Sequence, residues 1–264
     1  MLGDEAALEL AWALKELCYA SWSSDRQRAV RAAQALQCLR NAASSSPRPQ
    51  VEELDALAAW TGAIACLIRG DMDQAVVRLD AAASRFAAIA QPIHAAQAQV
   101  PKIMALSMLG RHDAAIACAD AAQRLLLAHG DTLSAGKVLH NLGSLHLRGD
   151  RYAEAAPRFR EAAVLFAKHR DHEHSVMADI GLADALAAQG DPNEAAIMYA
   201  RARKRAVAHG LPVLDTMAGE SLALLQLARG QYRDALAGLE GGRRGDEALQ
   251  LPQYMAMRET DIDD

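Results

Sequence analysis

The stretch Leu142-Gly143-Ser144-Leu145-His146-Leu147-Arg148-Gly149-Asp150-Arg151-Tyr152-Ala153-Glu154-Ala155-Ala156-Pro157-Arg158-Phe159-Arg160-Glu161-Ala162 decides the fold, because it reads as two helical runs broken at Gly149-Asp150. Ala155 and Ala162 stand seven residues apart, two turns along one helix face, where small side chains let a second helix approach closely. Stepping forty residues in either direction from Ala155 lands on Ala75, Ala115, Ala195 and Ala235. The same step from Ala162 lands on Ala82, Ala122, Ala202 and Gly242. Gly70, Gly110, Gly190 and Gly230 precede their anchors by five residues, with Gly149 one place early. Pro92, Pro212 and Pro252 share a register, and so do His129, His169 and His209. Agreement of independent columns on one period identifies a repeat array.

Each unit is expected to hold two helices. A glycine before the anchor accepts positive φ and ends the first helix. Residues such as Asp71 and Asp191-Pro192 then suit the start of the second. First helices are predicted near 51–69, 92–109, 131–148, 172–189 and 212–229, and second helices near 72–90, 112–129, 151–169, 192–209 and 232–240. An out-of-register helix pair at 4–22 and 26–43 is expected to cap the array. Pro101 and Pro157 fall inside predicted helices and should kink them. Ile103 replaces the usual small residue and implies looser packing.

Composition agrees. The 264 residues include 59 alanines but only 4% aromatics, which favours helix over strand. A net charge of −5 without a basic stripe argues against nucleic acid, including RNA read by helical repeats. The charges at Glu9, Lys15 and Glu16 exclude a signal core or membrane span in the first helix. Cys18, Cys38, Cys66 and Cys118 show no Cys-x-x-Cys spacing and read as reduced thiols in a cytoplasmic protein.

Leu142-Gly143, Tyr152, Ala155, Phe159 and Ala162, echoed by Leu182-Ala183, Gly190, Ala195, Tyr199 and Ala202, carry a family resemblance. The chain resembles a tetratricopeptide (TPR) array across residues 51–242, in a variety with a forty-residue period. It is similar to the TPR arms of bacterial regulators and of CHAT-domain proteins. The resemblance implies an all-α, right-handed superhelical solenoid of antiparallel helix pairs whose first helices line a concave groove. The domain organisation that follows is a cap at 1–50, five repeats at 51–242, and a partial sixth repeat or tail at 243–264.

Projected onto this sequence, the groove would present Trp60, Thr61 and Ile64, then Gln97, Val100 and Met104, then Lys137, His140, Asn141, Ser144 and Arg148. It would continue with Met177, Ile180 and Asp184, and with Met217, Glu220 and Leu224. The Lys and Asn of a clamp for a terminal carboxylate occur only in the third unit. A methionine-containing trough with one basic band suits a protein or peptide ligand of relaxed sequence. Asn141 could pair with a ligand backbone, and Lys137 with Arg148 could attract an acidic side chain.

No catalytic constellation emerges, so no enzyme, cofactor or metal is expected. Gly130 to Val138 fails as a phosphate loop on glycine spacing, on the missing hydroxyl and on the missing strand. His169, His172 and His174 straddle a helix junction, and the recurring histidines read as helix C-terminal caps rather than ligands. The expected function is therefore a non-catalytic binding scaffold. The alternative is the regulatory arm of a larger effector, such as a CHAT-type protease or signal-transducing ATPase. The open C-terminal end is a further surface for self-association.

Overall fold

The computed structural model describes residues 4–22, 24–42 and 49–239. Glu240, Gly242, Pro252 and the expected partial repeat at 243–264 lie outside the described residues. The helices are α1 (Asp4–Ser21), α2 (Arg26–Ala42), α3 (Pro49–Arg69), α4 (Met72–Ala88), α5 (Pro92–Met108) and α6 (His112–Ala128). They continue as α7 (Thr132–Arg148), α8 (Tyr152–Lys168), α9 (His172–Ala188), α10 (Pro192–Ala208) and α11 (Pro212–Ala228). A twelfth, α12, runs over 232–239. No strand occurs among the described residues.

From α4 to α11 every helix is 17 residues long. Each ends on the same device. A residue with positive φ stands at Gly70, Ala90, Gly110, Gly130, Asp150, Arg170, Gly190, Gly210 and Gly230. The amide of the following residue then donates to a carbonyl five residues back, as from Asp71 to Cys66 at 3.0 Å and from Asp171 to Phe166 at 3.0 Å. This Schellman geometry satisfies carbonyls the helix end would otherwise orphan. The local period is thus twenty residues, and the forty-residue repeat is its alternation between two kinds of helix. At the other end, Asp71, Asp171 and Asp191 accept from the amides of Gln74, His174 and Glu194. Helices α5 and α8 run through Pro101 and Pro157 without interruption. Ile103 is fully buried.

The chain divides into two compact units, residues 1–141 and 142–264. In the first, α1 packs on both α2 and α3. Its core joins Ala11 and Leu36 to Leu57, Trp60, Leu79 and Phe86. The indole of Trp60 donates to the hydroxyl of Tyr19 at 2.6 Å, and the Lys15 ammonium lies 4.7 Å from the Trp60 ring. A cation over an indole face is electrostatically favourable, and the same ammonium also donates to the Glu16 carboxylate at 2.9 Å. Beside it, Asp55 accepts from both Arg40 and Arg85.

In the second unit Ala155, Phe159, Ala183, Ala195, Tyr199 and Ala202 form a continuous core. The anchors Ala155, Ala195, Ala162 and Ala202 are all fully buried. Small side chains at these sites set the helix separation, and the aromatic rings between them supply apolar area, each worth about 1.5–3 kcal/mol on burial.

Candidate functional site

The residues expected to form a polar band all lie on α7. Lys137, Asn141, Ser144 and Arg148 recur at four-, three- and four-residue steps, which aligns them along the helix, with His140 beside them. Lys137, His140, Asn141 and Ser144 are half-buried and Arg148 is exposed. Asn141 is not a free amide, however, because its Nδ2 donates to the carbonyl of Val100 at 3.1 Å. Only part of its hydrogen-bonding capacity remains for a ligand.

Gln97 is likewise committed. Its Nε2 donates to Asp131 at 2.8 Å, and Asp131 in turn accepts from the Ser134 amide at 3.0 Å. Burial would raise the Asp131 carboxyl, but the Ser134 and Gln97 hydrogen bonds prevail and hold it below its ordinary value. Gln97 is therefore a strut between α5 and the start of α7. Met104 is half-buried and packs against the core.

Trp60 and Ile64 occupy a different place from the one expected. They are 2% and 0% exposed, and Thr61 is buried with them. The reason is the packing of α1 against α3, which covers this stretch and engages the Trp60 indole through Tyr19. These residues belong to the core of the first unit and offer no surface to a ligand.

In the second unit Met177 is partly buried against the core and Ile180 is buried, whereas Met217 and Leu224 are exposed. Glu220 is half-buried. Asp184 accepts from the Tyr199 hydroxyl. Burial pushes the Asp184 carboxyl up, opposed by that hydrogen bond.

One polar constellation escaped the periodic reading. Asp179 on α9 is 1% exposed and accepts from Arg201 at 2.6 Å and from Arg205 at 2.5 Å, both on α10. Arg205 also donates to the Ser175 hydroxyl at 2.7 Å. The available signal was an acidic residue interrupting the apolar run Val176 to Ala183, followed by arginines one helix later. Charge alone does not reveal that the carboxylate points inward.

The histidines of the repeated column, His129, His169 and His209, stand at the C-terminal caps of α6, α8 and α10. His172 stacks on His209 with ring centroids 3.6 Å apart. Among the described residues no group of three or more His, Cys, Asp or Glu is placed to hold a metal. Burial pushes the thiols of Cys18 and Cys118 up to about 11, which keeps both protonated and weakly nucleophilic at neutral pH. No helix among the described residues is long and apolar enough to cross a membrane.

Helix pairs of this length, order and packing define the TPR type of helical-repeat fold, and the chain has that fold. Solved structures sharing it include the Rap conjugation gene regulator of plasmid pLS20 in complex with the Phr* peptide. That match has 12% identity over 96% of this chain and 78% of the other, with a TM-score of 0.61. Aspartyl phosphate phosphatase F from Bacillus subtilis matches at 11% identity over 98% and 80% of the two chains, with a TM-score of 0.66. Nearly identical TPR-like repeats from Podosopora anserina, named for a kinesin light chain, match at 19% identity over 73% and 95%, with a TM-score of 0.59. No protein-family model matches the sequence, and no curated protein matches it either.

Proposed function

We propose that the chain is a non-catalytic scaffold of the cytoplasm that holds a peptide segment of a partner protein against the inner faces of its first helices. The observation that carries this reading is the face of α7, where Lys137, His140, Asn141, Ser144 and Arg148 line up along one helix side. Two cations at the ends of a row of polar groups suit a ligand with an acidic side chain and a backbone available for pairing. The pLS20 regulator, of like fold, is a complex with a peptide, which supports a peptide as the ligand class here. Nothing observed favours the alternative, an arm of a protease or ATPase.

The test is affinity capture from a lysate of the source cells, comparing wild type with Lys137→Glu/Arg148→Glu. Asn141 is left intact because its loss would also remove the tie to Val100. A partner held by wild type and lost by the variant supports the reading. Equal recovery by both removes it.

A further inference from the structure

One exposed face of α10 differs in its residues from the equivalent face of α4. Along one side of it run Ile197, Ala200, Arg201, Lys204 and Val207, at steps of three, one, three and three residues. Ile197 and Val207 are 62% and 67% exposed, and Ala200, Arg201 and Lys204 are also exposed. No acidic residue occurs between Ile197 and Ala208. The corresponding positions on α4 are Val77, Asp80, Ala81, Ser84 and Ala87, with one apolar side chain of size and an acid.

Two cations of α10, Arg201 and Arg205, are also held in place. Asp179, beneath the helix, is a single carboxylate shared by Arg201 and Arg205. One positive charge of that trio is left unbalanced, and Lys204 adds another. The pairing to a buried group removes rotamer freedom from Arg201, so less is lost when its exposed edge meets a second carboxylate.

We infer that this face is a docking surface for an acidic amphipathic segment of a partner protein, distinct from the inner-face site proposed above. The two apolar anchors stand ten residues apart, about 15 Å along the helix. A partner helix with apolar residues at the same separation and glutamates or aspartates between them would match anchors to anchors and carboxylates to Arg201 and Lys204. Charge selects the occupant: between Ile197 and Val207 the face carries cations only, and a second copy of that stretch would repel. Isolated anchors separated by charge also lack the continuous apolar stripe by which a helix lies in a lipid surface.

The experiment titrates the full chain into a fluorescein-labelled helical peptide of about 16 residues, bearing two leucines at that separation with glutamates between. A glutamine-for-glutamate peptide and phosphatidylserine vesicles are the controls. Binding of the acidic peptide, weakened about tenfold or more by Lys204→Glu and by Ala200→Glu, is expected. Ala200 is exposed and its glutamate variant keeps a good helix former, so folding is preserved in at least one variant. The inner-face variant Lys137→Glu/Arg148→Glu should bind the peptide as wild type does, so the two proposals fail separately. Equal binding of the glutamine peptide, indifference to both α10 variants, or binding to the vesicles in place of the peptide would overturn the inference. So would dimerisation abolished by Lys204→Glu, or peptide binding that appears only after removal of residues 259–264, whose acidic side chains would then be the occupant.

Discussion

A side chain on Gly181 and the ring of Phe159 cannot occupy the second unit together. A Cβ built on Gly181 would stand 2.5 Å from Cε1 of Phe159, and one built on Gly143 would stand 2.9 Å from the same ring. The phenyl ring of α8 is thus seated between backbone surfaces of α7 and α9. Here the absent side chain matters for close approach rather than for φ.

Gly181→Ala should therefore destabilise the protein by about 1–3 kcal/mol through overpacking. Thermal unfolding reads this as a lower Tm, about 2–4 °C for each kcal/mol in a protein of this size. Adding Phe159→Leu should recover part of the loss, because the two changes share one contact. Additive losses in the double variant would mean the ring does not limit the approach of α9.

Ala90 and Arg170, like Asp150, hold positive φ at helix ends where the other six positions use glycine. Ala90→Gly and Arg170→Gly should each relieve left-handed strain of about 1 kcal/mol, offset in part by the greater freedom of glycine in the unfolded chain. Gly190→Ala should do the reverse and lower Tm. The comparison is direct because the surroundings of Gly190 leave space for a Cβ. A Tm unchanged by Gly190→Ala would place the cost somewhere other than the backbone angle.

His94 packs between Trp12 and Phe86, with ring centroids 4.7 and 5.4 Å away. Burial pushes its imidazole below the ordinary 6.5, more than nearby Glu53 pushes it up. The folded state then resists a proton that the unfolded state accepts. The contribution to stability is complete above about pH 6.5 and is lost as the pH falls through the lowered value. Denaturant unfolding followed by tryptophan fluorescence isolates the first unit, since Trp12, Trp22 and Trp60 all lie there. His94→Gln should flatten the decline between pH 6.5 and 5, and an identical slope in the variant would assign the effect to another group.

Asp179→Ala should cost about 1–3 kcal/mol, because it removes charge-assisted hydrogen bonds from Arg201 and Arg205, whose partly exposed guanidinium groups can still meet water. Replacing both arginines by methionine in the same chain should return much of that loss. Failure of the triple variant to regain stability would show that the carboxylate matters for packing rather than for charge balance.

The helices were legible because both their spacing and their stops are local. Seventeen-residue runs separated by three-residue turns repeat down the chain, and glycine marks most of the turns. The twenty-residue period was half hidden because Ala90, Asp150 and Arg170 adopt the same conformation without being glycine. The inner-face residues were less legible, for a different reason. Periodicity assigned Trp60 and Ile64 to the same side as Val100 and Met104, but α1 lies outside the repeat register and covers that side of α3. Asn141 carried the expected amide, yet its acceptor is the backbone carbonyl of Val100, and a carbonyl has no sequence signature. Asp179 was hidden by the same limit, since a carboxylate buried against arginines and one facing water read alike.

The scaffold proposal is tested most directly by photo-crosslinking in the source cells, with a benzophenone side chain placed either at Ser144, on the polar face of α7, or at Ala121, on the exposed side of α6. The proposal predicts an adduct with a discrete partner at position 144, none at 121, and its loss when Lys137→Glu is added. An adduct at 121 alone, or one at 144 indifferent to Lys137→Glu, would contradict it.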